Sequence, residues 1–163
     1  MRLFALLVAG LLDAAAPHVR AESVALQALV ADARERSATF RQIVDRLDRS
    51  DVIVYVRTQR FPLERLEGRI GFVSGAKGPI RGARVLLVEL ACARPLATQT
   101  ATLAHELHHA TEIADAPAVR DAATLGAYYR RIGEEAVALG EGIAFETRAA
   151  RETSARVRHE LDR

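Results

Sequence analysis

Apolar residues recur at two periods along this chain, and the change from one to the other marks its elements. Over residues 22–47, Leu26, Leu29, Val30, Ala33, Phe40, Ile43, Val44 and Leu47 fall on one helical stripe, with arginines and acids on the other faces. This spacing predicts one helix, packed across a sheet. Residues 52–58 are β-branched and apolar, and predict a strand. A break at Phe61-Pro62-Leu63 is followed by a second strand over 67–74 and a turn over 74–79. Residues 84–91 predict a third strand, apolar on both sides: Val85 and Leu87 on one, Leu86, Val88 and Leu90 on the other. Two-sided apolarity implies burial on both faces. The short connections predict an antiparallel meander of three strands. Three helices are expected after it, over residues 96–114, 117–132 and 143–161, with Gly133 and Gly140-Glu141-Gly142 as breaks. The fold class expected is α+β.

The chain begins with a different pattern. Arg2, the apolar run 3–12 and Val19-Arg20-Ala21 before Glu22 have the form of a secretory leader over residues 1–21. The run is too short to span a bilayer. The expectation is a single domain over 22–163, periplasmic or secreted, with no stable membrane insertion once the leader is removed. If residues 1–21 were instead a core helix, the protein would be cytoplasmic.

Composition narrows the classes. A chain of 163 residues, half of them hydrophobic, can bury roughly two thirds of its unfolded surface and is not disordered. The formal charge of +2 gives no reason to expect a nucleic-acid partner. The arginine-rich stretch 148–163 is interrupted by Glu152, Glu160 and Asp162, which suits a solvated, salt-laced helix. A single cysteine, Cys92, excludes an internal disulfide, and a buried, inert thiol is expected for it. The turn around Lys77 lacks the order of a phosphate loop and precedes a strand, so a hairpin loop is expected.

The chemistry concentrates in His105-Glu106-Leu107-His108-His109, an H-E-x-x-H pattern within the 96–114 helix. Residues four apart on a helix lie about 40° from each other and about 6 Å along the axis. His105 and His109 can therefore present two imidazoles to one cation. Glu106, about 100° round, is placed to take a proton from a metal-bound water. This is the arrangement of zinc hydrolases. A catalytic zinc uses three protein ligands, and three later acids are candidates. Glu146 precedes a run of small residues that would let its helix approach closely. Glu141 stands in the glycine break. Asp115, six residues past His109, would need the chain to reverse at once, yet residue 112 is Glu and Met1 is the only methionine, so the compact metzincin pattern is missing. Glu146 is preferred because a rigid element places a ligand better than a loop, with Glu141 as the alternative. His108 should face solvent or a neighbouring helix. Glu112 could pair with His108 or an arginine, or orient His109 or His105. Tyr128, Tyr129 and His159 are candidates for stabilising an oxyanion, though a core or surface role suits each better.

With this motif and a downstream glutamate, residues 105–150 resemble the gluzincins, zinc peptidases with H-E-x-x-H on one helix and a glutamate ligand on a following one. The small, minimal exported bacterial members are the most similar. The resemblance implies a zincin-like domain holding Zn2+, with Glu106 as general base in peptide-bond hydrolysis and a peptide or protein as substrate. It also implies that the strand before the motif helix, residues 84–91, lines the substrate cleft. The rival reading is a non-catalytic protein in which zinc is a structural staple, its fourth position filled by His108, Glu112 or Asp115.

Overall fold

A computed structural model describes residues 16–62, 66–73, 82–139 and 142–163. The elements follow in the order β1 (Val19–Ala21), α1 (Val24–Arg36), α2 (Ala38–Leu47), β2 (Val52–Gln59), β3 (Gly68–Phe72), β4 (Arg84–Ala91), α3 (Leu96–Ala114), α4 (Ala122–Ile132), β5 (Glu134–Leu139), β6 (Gly142–Glu146) and α5 (Arg148–Leu161). The α+β class expected from the sequence is observed. Among the described residues, no helix is long and apolar enough to cross a membrane.

The sheet is not the expected antiparallel meander. It is four-stranded and mixed, in the order β1-β2-β4-β3. β1, β2 and β4 run parallel, with Val19 opposite Val54 and Val52 opposite Arg84, and β3 runs antiparallel to β4 at the edge. Burial explains the order. β4 is covered along almost its whole length, which suits an inner strand. β3, Gly-Arg-Ile-Gly-Phe, has only a half-apolar face and fits an edge. The expected leader boundary at Ala21 coincides with the end of β1. His18, just before β1, is buried, its Nδ1 3.0 Å from the Val52 carbonyl and its N–H donating to Asp48 at 2.8 Å. A leader ending at Ala21 would take an edge strand of the sheet with it. Residues 1–15 lie outside those described.

The single helix expected over 22–47 is two. Ser37 adopts an extended conformation (φ −113°, ψ 117°), and its hydroxyl caps α2 by accepting from Phe40 N–H at 3.0 Å. Glu160 of α5 fixes the break by accepting from Ser37 Oγ (2.5 Å), Thr39 Oγ1 (2.7 Å) and Thr39 N–H (3.1 Å). The α4 helix likewise begins later than expected. Asp121 and Thr124 form a capping box, which leaves Pro117 in the preceding turn. In place of an early helix at 143, β5 and β6 pair antiparallel, Glu134 opposite Glu146. Thr147 then caps α5 by accepting from Ala150 N–H at 3.1 Å.

The core lies between the helix-facing side of the sheet and the helices. Val52, Val54 and Val56 of β2 and Leu86, Val88 and Leu90 of β4 pack on Phe40, Val44 and Leu47 of α2 and on Leu103, Leu107 and Ala110 of α3. Val157 and Leu161 of α5 close it from the side. A guanidinium also enters this interior. The Arg84 side chain, 3% exposed, pairs with Asp51 through two bonds (2.6 and 2.9 Å). The same guanidinium donates to the carbonyls of Ile113, Ala114, Ala116 and Val119 at 2.6–3.1 Å. It thereby supplies a donor to carbonyls at and just beyond the end of α3, where regular helical pairing stops, and fixes the far end of the motif helix. Its hydrogen bonds, and then its charge, hold Asp51 below the usual carboxylate range against partial burial.

Candidate metal centre

The α3 helix spans the residues expected for the motif helix, 96–114, and aims both motif imidazoles at one point. His105 Nε2 and His109 Nε2 are 3.2 Å apart, with rings nearly perpendicular at 79°. Glu146 Oε2 lies 3.0 Å from His105 Nε2, and one donor atom from each of the three residues falls within 4.8 Å of the others. Two ligands each bound at ~2.0–2.1 Å to a tetrahedral zinc stand about 3.3 Å apart. The two spacings at His105 are close to that figure, the third pair, His109 with Glu146, lies within 4.8 Å, and two imidazole nitrogens with a carboxylate oxygen form a donor set for zinc.

Glu146 reaches this point differently from the way expected. It is not within a helix but is the last residue of β6, immediately before the Thr147 cap of α5. Thr147 places it. Besides capping α5, its hydroxyl donates to Glu112 Oε1 on α3 at 2.7 Å, so the β6–α5 junction is pinned to the motif helix. The alternative ligand, Glu141, lies outside the described residues. Asp115 is the C-cap of α3, pairs with Arg46, and does not join the cluster.

Glu112 carries out the orienting role. Its Oε2 accepts from His109 Nδ1 at 2.8 Å and from the Tyr129 hydroxyl at 3.0 Å. Donation through Nδ1–H leaves the Nε2 lone pair of His109 directed at the cluster. Burial opposes ionisation of Glu112, but the bonds from His109, Thr147 and Tyr129 outweigh it and hold the carboxyl below its usual range. Tyr129 is buried, its pKa pushed upward by burial and then by the Glu112 charge. Its hydroxyl faces Glu112 behind His109. Tyr128 donates to the Glu112 backbone carbonyl at 3.3 Å. Both hydroxyls are therefore engaged away from the donor cluster. His108 faces α5, its Nδ1 3.0 Å from Thr153 Oγ1 and its Nε2 3.7 Å from Glu112 Oε1. Burial lowers its pKa.

Glu106 is 7% exposed, and its carboxylate lies against β3. A Cβ at Gly68 would stand 3.0 Å from Glu106 Oε1 and 2.6 Å from Thr102 Cγ2. Burial raises the Glu106 pKa, with the charges of His109 and His105 opposing and that of Glu146 adding. For His105, burial works against protonation, but the Glu146 bond and the charges of Glu106, Glu146 and Glu112 raise its pKa overall. The Glu146 carboxyl, despite burial, is lowered by His105 and then by His109 and Arg151.

Two side chains depart from expectation. Cys92 is exposed, in the turn between β4 and α3, rather than buried. His159 meets Arg163 at 2.8 Å and lines a groove that opens at His105. Gly68 and Thr147 were not singled out from the sequence. Glycine within a strand does signal close backbone approach, and a threonine before a helical run signals a cap, but neither names its partner. No family model matches this chain, and no curated protein or solved structure does either.

Proposed function

We propose that this protein is a zinc-dependent peptide hydrolase of the gluzincin kind, built on a minimal zincin-like domain. The observation that carries this reading is the convergence of His105 Nε2, His109 Nε2 and Glu146 Oε2 beside a buried Glu106 on the same helix. His105, His109 and Glu146 would hold the metal. Three donors meet among the described residues, and a tetrahedral shell then keeps a position for water or substrate. When bound, zinc supplies Lewis-acid polarisation and makes water acidic near neutral pH. Glu106 is the general base. It accepts the proton of the attacking water and delivers it to the leaving amine. Its burial favours that return, because loss of solvent stabilises the neutral acid.

The strand beside the cleft is β3 rather than the expected 84–91. β4 lies inside the sheet, whereas β3 is its edge and lies against Thr102 and Glu106 of α3. A substrate peptide would pair along the outer edge of β3 as an added strand.

Elemental analysis after zinc loading tests the ligand set. The wild type and Glu106→Ala should carry one zinc, and His105→Ala, His109→Ala and Glu146→Ala should lose it. Glu106→Ala should also abolish hydrolysis of a casein digest. Full zinc in Glu146→Ala would remove the third ligand, and full turnover in Glu106→Ala would remove the general base.

A further inference from the structure

A groove of about 460 Å³ runs from His105 along one face of α5. Its residues follow helical spacing, with Arg151 near the cluster, Ser154 and Ala155 in the middle, and Arg158, His159 and Asp162 at the far end. This is not the core face of α5, which is Ala150, Thr153, Val157 and Leu161. The small side chains at 154 and 155 leave room for a backbone to lie across them. Charge is uneven along the groove. Arg151 stands in the first turn of α5, just past Glu146, and lines the groove together with His105, so this arginine belongs to the metal end. Arg158 is exposed, and among the described residues its guanidinium has no carboxylate partner. Asp162 puts a negative charge at the far mouth.

We propose that this groove selects peptide substrates with an acidic side chain about three residues from the bond cleaved, held by Arg158. The inference rests on the peptidase reading above. The spacing comes from the helix. Arg158 lies seven residues beyond Arg151, ~10 Å along α5, which an extended peptide covers in about three residues. An acid placed farther out meets Asp162 and is disfavoured, and an acid beside the scissile bond falls short of Arg158. Selectivity therefore depends on position and is more than a general attraction to a basic surface.

The test separates binding from turnover. Fluorescein-labelled octapeptides with a single Asp, scanned through positions on both sides of a central Ala-Leu bond, are titrated against zinc-loaded Glu106→Gln protein by anisotropy. Each is paired with its Asn counterpart. The Asp peptide with the acid three or four residues from the centre should bind about three- to fivefold tighter than its Asn twin, the upper range for an exposed ion pair. That preference should fall to about one in Arg158→Gln and persist in Arg148→Gln. Equal binding of Asp and Asn peptides at every position overturns the inference, as does a preference that survives in Arg158→Gln or no binding of either peptide. Cleavage of the same peptides by the Glu106 protein is scored separately. Position-dependent binding without cleavage would sink the peptidase reading and leave the groove an acidic-peptide site.

Discussion

Replacing Gly68 by alanine probes how closely β3 presses on the general base. The added methyl would stand 2.6 Å from Thr102 Cγ2 and 3.0 Å from Glu106 Oε1, where carbon contacts are comfortable at ~3.5–4.0 Å. The overlap with Thr102 is thus about 1 Å, and forced overpacking of this kind costs about 1–3 kcal/mol. In a protein of this length that corresponds to a fall of roughly 2–12 °C in Tm. The clash with Glu106 acts on function. Its carboxylate must give by several tenths of an ångström, and a misplacement of ~1 Å can cost on the order of 10²-fold in rate. The double variant Gly68→Ala/Thr102→Ser separates the two effects. Loss of Cγ2 removes the severe overlap and should restore most of the Tm, while the Oε1 contact and the rate defect remain. Zinc content should equal wild type in both. Calorimetry, elemental analysis and hydrolysis of a casein digest read the three quantities. If Gly68→Ala melts and turns over like the wild type, or if Thr102→Ser rescues rate along with stability, Glu106 is not held by β3 in the way described.

Three further outcomes follow from the same structure. Arg84→Met strips Asp51 and four carbonyls of their buried partner. It should cost about 1–3 kcal/mol through the buried acceptors left unpaired, a Tm drop of roughly 2–12 °C, and an unchanged Tm by calorimetry would contradict the buried anchor. Glu112→Gln removes the carboxylate that accepts from His109, Thr147 and Tyr129, and should weaken zinc binding about 10–100-fold. Competition against a chromogenic chelator measures this, and unchanged affinity would refute the orienting role. Asp51 is held low by Arg84, and Glu160 is held low, against burial, by Ser37 and Thr39. A depressed folded pKa gives stability that is present above the unfolded value and lost as pH falls through the folded one. Urea midpoints should therefore decline below about pH 4, less steeply in Glu160→Gln, and parallel pH profiles for the two proteins would count against it.

What could be read from the sequence divides along physical lines. The motif helix, β4 and the alignment of His105 with His109 came from periodicity and spacing, which are local. Glu146 joins the cluster, but from the end of a strand rather than from a helix, because Thr147 caps α5 one residue later. The continuous 22–47 stripe hid the break at Ser37. Its cause is a carboxylate more than a hundred residues away, Glu160, and periodicity carries no trace of it. The sheet order failed for a related reason. Alternation shows which faces are buried but not which strand lies beside which, and the two-sided apolarity of β4, read as burial, was the sign of an inner strand. The roles of Arg84 and Gly68 depend on contacts across the fold and were invisible in the residues alone.

The β5–β6 hairpin is bounded on one side by Gly133, whose N–H bonds to the Tyr129 carbonyl, and on the other by Thr147, fastened to α3. Between those clamps the chain holds no donor of the described cluster until Glu146 itself. Lengthening such a span costs only about 0.6 kcal/mol for each doubling. The hairpin can thus change in length or sequence while Glu146 keeps its place, because the residue that follows Glu146 is fastened to the motif helix.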